Sequence, residues 1–547
     1  MRITLAQINS RVGDLAGNLK KIETAYRKAV SEKSDLIVFP ELALTGYPPL
    51  DLLENEDFVK QNLSALRSFA GKVSGTACIL GYVGVNEKKN GKKLLNSAAF
   101  MHEGGIKRAV SKSLLPTYDI FDEERYFEPS AANAPVLFKG LKIGLIICED
   151  IWADTELLPE RFLYGFNPLR ELLKKNADLV INISASPFYK DKRAQRIRIL
   201  SRIAAKTGKK IIYVNSVGAN DELIFDGGSF ILDEKGGITD CLGAFTEEVA
   251  TFDLAGLKKR CPAGGGGIED IRQAIVLGIR DYFRKQGFKK AVLGLSGGID
   301  SAVVAVLACE ALGPENVLGV LMPSPHTSRR SCGDAEKLAL NLGIKTETVP
   351  IGRLYDLYAE TLGLDAKLID LTLQNLQSRI RGTLLMAFSN KRGFLVLATG
   401  NKSEIAMGYC TLYGDTAGAL APIGDVLKTD VYKIAALMNK KKEIIPDSVI
   451  KRPPTAELKP GQKDRDDLPP YDLLDRIIKL HIEENLPEGE ICRRIKNREL
   501  VLSVIKRIEN NEYKRKQLPP ALKISEKSFG SGRKMPIVKS PRRAGPR

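Results

Sequence analysis

At 547 residues the chain exceeds what one hydrophobic core can organise, and at roughly 150 residues per domain it should fold as two to four units. A hydrophobic fraction of 44% against 27% charged residues excludes wholesale disorder, and eight cysteines in so long a chain exclude a disulfide scaffold. No uncharged apolar run approaches the roughly 18 residues needed to span a bilayer, and no two cysteines stand in C-x-x-C spacing. The composition therefore predicts a soluble, cytoplasmic protein with no membrane partner, in which a single thiol can be catalytic. The formal net charge of +17 attracts polyanions, either nucleic acid or nucleotides and pyrophosphate.

The first regular element in chain order is a helix capped by Asn18, on which Leu19, Ile22, Tyr26, Ala29 and Val30 recur at three- and four-residue steps. Through residue 255 the apolar runs DLIVF, TACILGYVGV, KIGLIIC, ADLVINIS and KKIIYVNSV alternate with helical patterns, as in a layered α/β domain. A glycine run, Gly264 to Gly267, marks a linker over residues 256–270. A second α/β start follows, strand KKAVLGL, turn SGGIDS and helix SAVVAVLACEAL, which predicts a doubly wound parallel sheet within 271–530. Inside it, KRPPTAELKPGQKDRDDLPP lacks periodicity and reads as a lid or a plain surface loop. Residues 531–547 carry Arg533, Lys534, Lys539, Arg542, Arg543 and Arg547 without one acid, and predict a disordered basic tail.

Three chemistry-bearing side chains in the first half stand just beyond apolar strands: Glu41, Lys112 and Cys148. Active sites of open α/β sheets form beyond the carboxyl ends of strands, so the three can converge. A cysteine nucleophile usually borrows a histidine, but the chain has only His102, His326 and His481, scattered. A carboxylate of raised pKa can serve as base instead, and an ammonium can hold the anion of a tetrahedral intermediate, which together describe acyl transfer. The flanks FPELALTGYPPLD, SKSLLPTYDIFDEERYF and CEDIW resemble the glutamine amidohydrolase domains of the nitrilase superfamily, whose fold is an α-β-β-α layered domain. The resemblance implies Glu41 as general base, Lys112 as stabilising cation and Cys148 as nucleophile. It also implies that Tyr118, Ser186 and Lys192 bind glutamine and that Glu124 is a second, supporting acid.

In the second half, Ser296-Gly297-Gly298-Ile299-Asp300-Ser301 joins a strand to a helix, where glycines admit an anion to the backbone and the helix start offers free N–H groups. It matches neither the P-loop nor the G-x-G-x-x-G pattern. The hexapeptide following Gly294 and Leu295 resembles the pyrophosphate loop of the ATP pyrophosphatases, an adenine nucleotide alpha hydrolase-like fold. Further on, LQNLQSRIRGTLL, VLATGNKSEIAMGYCTLYGDTAG and APIGDVLKTDVY resemble the NAD synthetase family. That resemblance implies ATP contacts at Gly294–Ser301, Thr399, Lys428 and Thr455, and deamido-NAD contacts at Asn375, Arg379, Glu404, Asp415 and Lys514. It implies Mg²⁺ at Asp300 and Glu404.

Joined in one chain, the halves imply a glutaminase whose ammonia amidates adenylated deamido-NAD, with a protected route for the ammonia and a homo-oligomeric assembly. The same ATP pyrophosphatase could serve another acceptor, as in GMP or asparagine synthesis, but those relatives use a glutaminase without the Glu, Lys and Cys trio. An RNA-binding pyrophosphatase would use the basic charge, yet no RNA module or interleaved basic and aromatic pattern is present, so no nucleic-acid partner is expected.

Overall fold

The computed structural model describes residues 1–131, 133–153, 164–256, 266–365 and 368–540. The chain divides into two compact units, Met1–Gly266 and Gly267–Arg547. Most of the expected linker, 257–265 with Cys261, and the last seven residues of the expected tail lie outside the described residues.

The first unit is built on two six-stranded sheets. One runs Glu248–Asp253, Arg2–Gln7, Leu36–Val38, Ala77–Val85, Leu94–His102, Gly105–Ser111. The other runs Ile238–Cys241, Phe230–Leu232, Lys210–Asn215, Leu179–Ser184, Leu141–Ile147, Val136–Phe138. Alternation along each strand sends one set of side chains, Ile3, Leu36, Ile79, Leu145, Ile181 and Val214 among them, into a core shared by both sheets. The opposite set packs on helices: Leu5's neighbours Ala6 and Ile37 meet helices Leu15–Ser31 and Glu56–Ala70, while Ile146 and Val180 meet Pro168–Lys174 and Lys192–Thr207. The result is the expected α-β-β-α stack, and it explains why these strands are apolar on both faces.

The first helix departs from expectation at its start. Asp14 is the cap, accepting from Gly17 N at 2.9 Å, and Asn18 lies inside the helix, buried. Its amide instead bridges Arg11 and Leu44, donating to both carbonyls and accepting from Arg11 N, so its polarity serves a loop rather than a helix end. Val30 is exposed although Ile22, Tyr26 and Ala29 are buried.

The second unit has a parallel sheet ordered Lys345–Thr348, Val317–Leu321, Ala291–Gly294, Leu395–Val396. Chain order reverses between the last two, so the loop after Ala291–Gly294 opens at the switch point where such sheets bind ligands. Helix Ile299–Leu312 follows it, and its apolar run Ala302–Ala308 is buried on every face. Within the expected basic tail Arg533 is buried and ion-paired with Glu509, and Lys539 reaches the same carboxylate at 2.9 Å. Acids on the helix Arg498–Asn510 thus neutralise charges that composition alone leaves free. Among the described residues no helix is long and apolar enough to cross a membrane. Cys78, Cys148, Cys309, Cys332, Cys410 and Cys492 are free thiols, whereas Cys241 is disulfide-bonded.

Arg196 and Asp226, paired at 2.7 Å and each about 1% exposed, tie the helix Lys192–Thr207 to the strand Leu223–Asp226. Arg196→Met leaves Asp226 buried and unpaired, and is expected to destabilise the first unit by about 3–5 kcal/mol in urea unfolding; an unchanged midpoint refutes a structural role for the pair.

Candidate active sites

Cys148 opens a 3-10 turn, Cys148–Ile151, directly after the strand Leu141–Ile147, with a left-handed φ of 44°. A non-glycine residue holds that strained conformation only where surroundings enforce it. Here Asp150 does so, its carboxylate buried and accepting from Ser113 N and Leu114 N at 2.9 Å and Ile147 N at 3.2 Å. Burial pushes the Asp150 carboxyl up to about 7 against those bonds.

Lys112 follows the strand Gly105–Ser111 and is fully buried. Its ammonium lies 2.8 Å from Glu41 Oε1 and 2.7 and 2.8 Å from the two oxygens of Glu123. Burial alone would lower its pKa, but the Glu123 and Glu41 charges hold it well above the ordinary lysine value, so it stays charged. Glu41 also accepts from Asn96 Nδ2 and from Ala185 N, each at 2.8 Å, which fixes both oxygens. The Cys148 thiol is pushed up by burial and by the Glu41 carboxylate, with Lys112 opposing, so it rests as a thiol that needs a base. His102 is remote from this chemistry, packed edge-on against Phe138.

The acid that meets Lys112 beside Glu41 is Glu123, not Glu124. Glu124 is exposed, whereas Glu123, first residue of the short helix Glu123–Tyr126, turns inward to Lys112 and to Tyr47 OH at 2.8 Å. Burial, offset by Lys112, raises Glu123 to about 7. Adjacent acids in EERY are equivalent on paper; in the structure Glu123 N donates to the Pro116 carbonyl at 3.1 Å as its side chain turns inward.

The other expected glutamine contacts gather at the nucleophile turn. Tyr118 OH donates to Glu149, at 2.9 and 3.0 Å from its two oxygens, and Tyr164 OH reaches the same carboxylate at 3.1 Å. Ser186 is buried beside Ala185 and held by Asn215 Oδ1 at 2.9 Å. The Lys192 ammonium lies over the Trp152 and Tyr189 rings at 4.8 and 4.9 Å. Glu149 and Asn96 carry no strand-end signal of their own, and sequence reasoning passed over both.

The second unit holds a cavity of about 580 Å³ lined by Gly294–Ser301, Thr399, Lys428, Thr455, Asn375, Glu404, Asp415 and Lys514. Gly297 sits at φ 75°, and a Cβ there would lie 2.2 Å from the Ser331 carbonyl, so glycine is obligatory in this loop. Ser296 Oγ accepts from Gly298 N at 3.2 Å, and Ser301 Oγ donates to the Gly298 carbonyl at 3.0 Å, bracing the turn. The loop therefore meets a ligand in a preformed shape.

Lys428 Nζ pairs with Asp300 and lies 3.2 Å from Glu404 Oε1. Asn401 Nδ2 donates to Asp300 Oδ1 at 2.9 Å while its Oδ1 caps the helix Lys402–Met407. Burial raises Glu404 to about 8, Lys428 opposing. Asp415 accepts from Thr411 N at 2.6 Å and is raised by burial to about 6. Lys514 donates to the Gly408 and Cys410 carbonyls at 2.8 Å. The stretch 451–470, expected as a lid or plain loop, covers this cavity with Arg452, Thr455, Glu457 and Asp464. Arg379 is not brought in: it is exposed and donates to the Leu412 carbonyl at 3.3 Å. Cavity-facing positions Asn375, Ser378, Arg381, Gly382 and Leu385 form one stripe of the helix Leu371–Arg392, and Arg379 falls past its edge.

Asp300, within the phosphate loop, and Glu404 are hard oxygen donors lining the same cavity. Among the described residues no three acids, histidines or cysteines form a complete metal cage. Mg²⁺ is usually held by one or two carboxylates together with substrate phosphates, so this pair fits it.

The folds and sites define an amide-hydrolysing unit with a Glu-Lys-Cys centre and a nucleotide-binding unit with a pyrophosphate-type loop. The carbon-nitrogen hydrolase model matches residues 2–257 and the NAD synthase model residues 271–518. The chain is 47% identical to the glutamine-dependent NAD(+) synthetase of Synechocystis sp. and 44% identical to that of Thermotoga maritima, each match covering 98% of both chains. It superposes on the structure of glutamine-dependent NAD+ synthetase from Acinetobacter baumannii in complex with ADP with a TM-score of 0.77 at 36% identity, covering 99% of both chains. The chain belongs to the glutamine-dependent NAD(+) synthetase family.

Exchanging the neighbouring acids separates their roles. Glu123→Gln is expected to lower the rate of glutamine hydrolysis by about 100-fold or more, the scale of a lost electrostatic catalytic group. Glu124→Gln should leave it within about twofold; equal effects in a glutaminase assay would refute the assignment of Glu123.

Proposed function

We propose that the enzyme hydrolyses glutamine at Cys148 and uses the ammonia to amidate deamido-NAD, activated by ATP, at the cavity beside Ser296–Ser301. The observation that carries this reading is the pairing, in one chain, of a buried Glu41–Lys112–Cys148 centre with a preformed phosphate loop over Asp300, Lys428 and Glu404.

In the first unit Glu41 takes the thiol proton as Cys148 Sγ bonds to the side-chain amide carbon of glutamine. The carbonyl electrons move to oxygen, and the Lys112 ammonium, kept charged by its two carboxylates, stabilises that oxyanion. Collapse breaks the C–N bond, Glu41 returns the proton to the leaving nitrogen, and ammonia departs. Water, deprotonated by Glu41, then cleaves the thioester to release glutamate. Tyr118, Ser186 and Lys192 hold the substrate at the turn, with Glu149 orienting Tyr118.

In the second unit the nicotinate carboxylate of deamido-NAD attacks the α-phosphorus of ATP, and pyrophosphate leaves toward the loop Ser296–Ser301 and the start of helix Ile299–Leu312. Ammonia then attacks the acyl carbon and AMP leaves, giving NAD+. Asp300 and Glu404 would hold Mg²⁺, which when bound neutralises phosphate charge. Lys428, Thr399 and Thr455 contact ATP, and Asn375, Asp415 and Lys514 contact deamido-NAD. Six free cysteines among the described residues, against the disulfide-bonded Cys241, support a cytoplasmic location.

The enzyme works as a homo-oligomer. Leu354, Leu357, Tyr358 and Leu362 are exposed along one face of the helix Gly352–Thr361 and its end, and Leu368 and Leu371 are more than 70% exposed nearby in sequence. Leu357→Glu is expected to shift the mass measured by light scattering toward the monomer; an unchanged mass, or a wild type already monomeric, refutes that face as the interface.

Cys148→Ala separates the sites. It should lose glutamine-dependent NAD+ synthesis by about 1000-fold or more while synthesis from ammonium stays near wild type. Residual use of glutamine by the variant, or no synthesis from either donor by the wild type, contradicts the proposal.

A further inference from the structure

Among the described residues two guanidiniums in the wall of the second cavity form no ion pair, Arg507, which donates to the Met407 and Asp467 carbonyls at 2.9 and 2.8 Å, and Arg381. Arg381 lies on the cavity stripe of helix Leu371–Arg392, and among the described residues no carboxylate stands within ion-pair distance of it. Its Nε donates to the Met322 carbonyl at 3.0 Å and its Nη2 reaches Thr327 Oγ1 at 3.5 Å, both neutral acceptors. The rest of its five N–H groups are unclaimed. Two other cavity cations are charge-compensated, Lys428 by Asp300 and Glu404 and Arg452 by Asp334. The acid that acts on Arg381 through space, Glu457, is already engaged by Ser328 N and Oγ and by Ser331 Oγ.

A desolvated charge without a counter-ion is costly, and burial pushes this arginine down to about 10 despite Glu457. The imbalance is relieved when an anion enters. Met322 and Thr327 follow the strand Val317–Leu321, the neighbour of the strand that delivers the phosphate loop, and Arg381 shares the cavity wall with Gly294–Ser301. A planar fork suits a phosphate oxygen pair better than a single carbonyl.

We propose that Arg381 is a phosphate-binding residue of this site, taking up the polyphosphate of ATP opposite the Ser296–Ser301 loop. Arg379, implied by the resemblance as a deamido-NAD contact, lies two positions earlier and is not part of the cavity lining. This inference rests on the nucleotide-site reading given above.

Calorimetric titration of the full chain with ADP and with adenosine tests it, because the two ligands differ only in phosphate. Arg381→Gln is expected to weaken ADP by about tenfold or more, the scale of one charge-assisted bond, and to leave adenosine unchanged. Arg381→Lys, which keeps the charge without the fork, should fall between. In steady-state assays with ammonium the KM for ATP should rise and that for deamido-NAD stay constant. Unchanged adenosine binding in both variants shows that the second unit still folds. Equal weakening of ADP and adenosine, no change in either, or a rise confined to the deamido-NAD KM overturns the assignment. A wild type that binds no ADP instead overturns the nucleotide site itself.

Discussion

A lysine ammonium removed from water must find negative charge or lose its proton, and three times among the described residues the solution is a cation clasped by two carboxylates. Lys112 lies between Glu41 and Glu123, Lys428 between Asp300 and Glu404, and Lys402 between Asp425 and Glu483. Desolvation costs several kcal/mol per ion, and only close, hydrogen-bonded geometry repays it. Each cluster therefore tolerates little displacement. The strands and turns that supply the members are held in register by the same pairs that serve chemistry.

In the first unit this constraint sets the protonation states that acyl transfer needs. Lys112 is kept a cation by its two acids, while burial keeps Cys148 a thiol until substrate arrives. Glu41 cannot swing away, since Asn96, Lys112 and Ala185 N occupy its oxygens. The Glu41 carboxylate is thus preorganised, and the left-handed turn at Cys148, pinned by Asp150, fixes the position of the thiol.

In the second unit the supporting shell is polar and equally enclosed. Ser403 Oγ accepts from Lys428 N at 2.9 Å and donates to Asp475, whose other oxygen accepts from Thr429 N at 2.9 Å. Lys402, next to the cap Asn401 that holds Asp300, is anchored by Asp425 and by the Lys527 carbonyl. Asp425 in turn accepts from Ile524 N and Ser525 N. Segment 521–529, beyond the matched NAD synthase region, therefore buttresses the helix that presents Glu404.

Local chemistry was legible in the sequence. Apolar runs announced the strands, a thiol or acid placed just beyond a strand announced where reacting groups stand, and SGGIDS announced an anion-binding turn, because each depends on neighbours along the chain. Which of two adjacent candidates serves was decided only by the tertiary structure. Glu123 rather than Glu124 meets Lys112, Arg381 rather than Arg379 lines the cavity, and Asp14 rather than Asn18 caps the first helix. The partners of Arg533 and Lys539 were likewise set by the tertiary structure, both meeting Glu509, on a helix about 25 positions earlier in the chain. A side chain's direction on a helix or turn follows from which face is buried, and that is set by elements far away in sequence, so composition and spacing name the groups while packing selects among them.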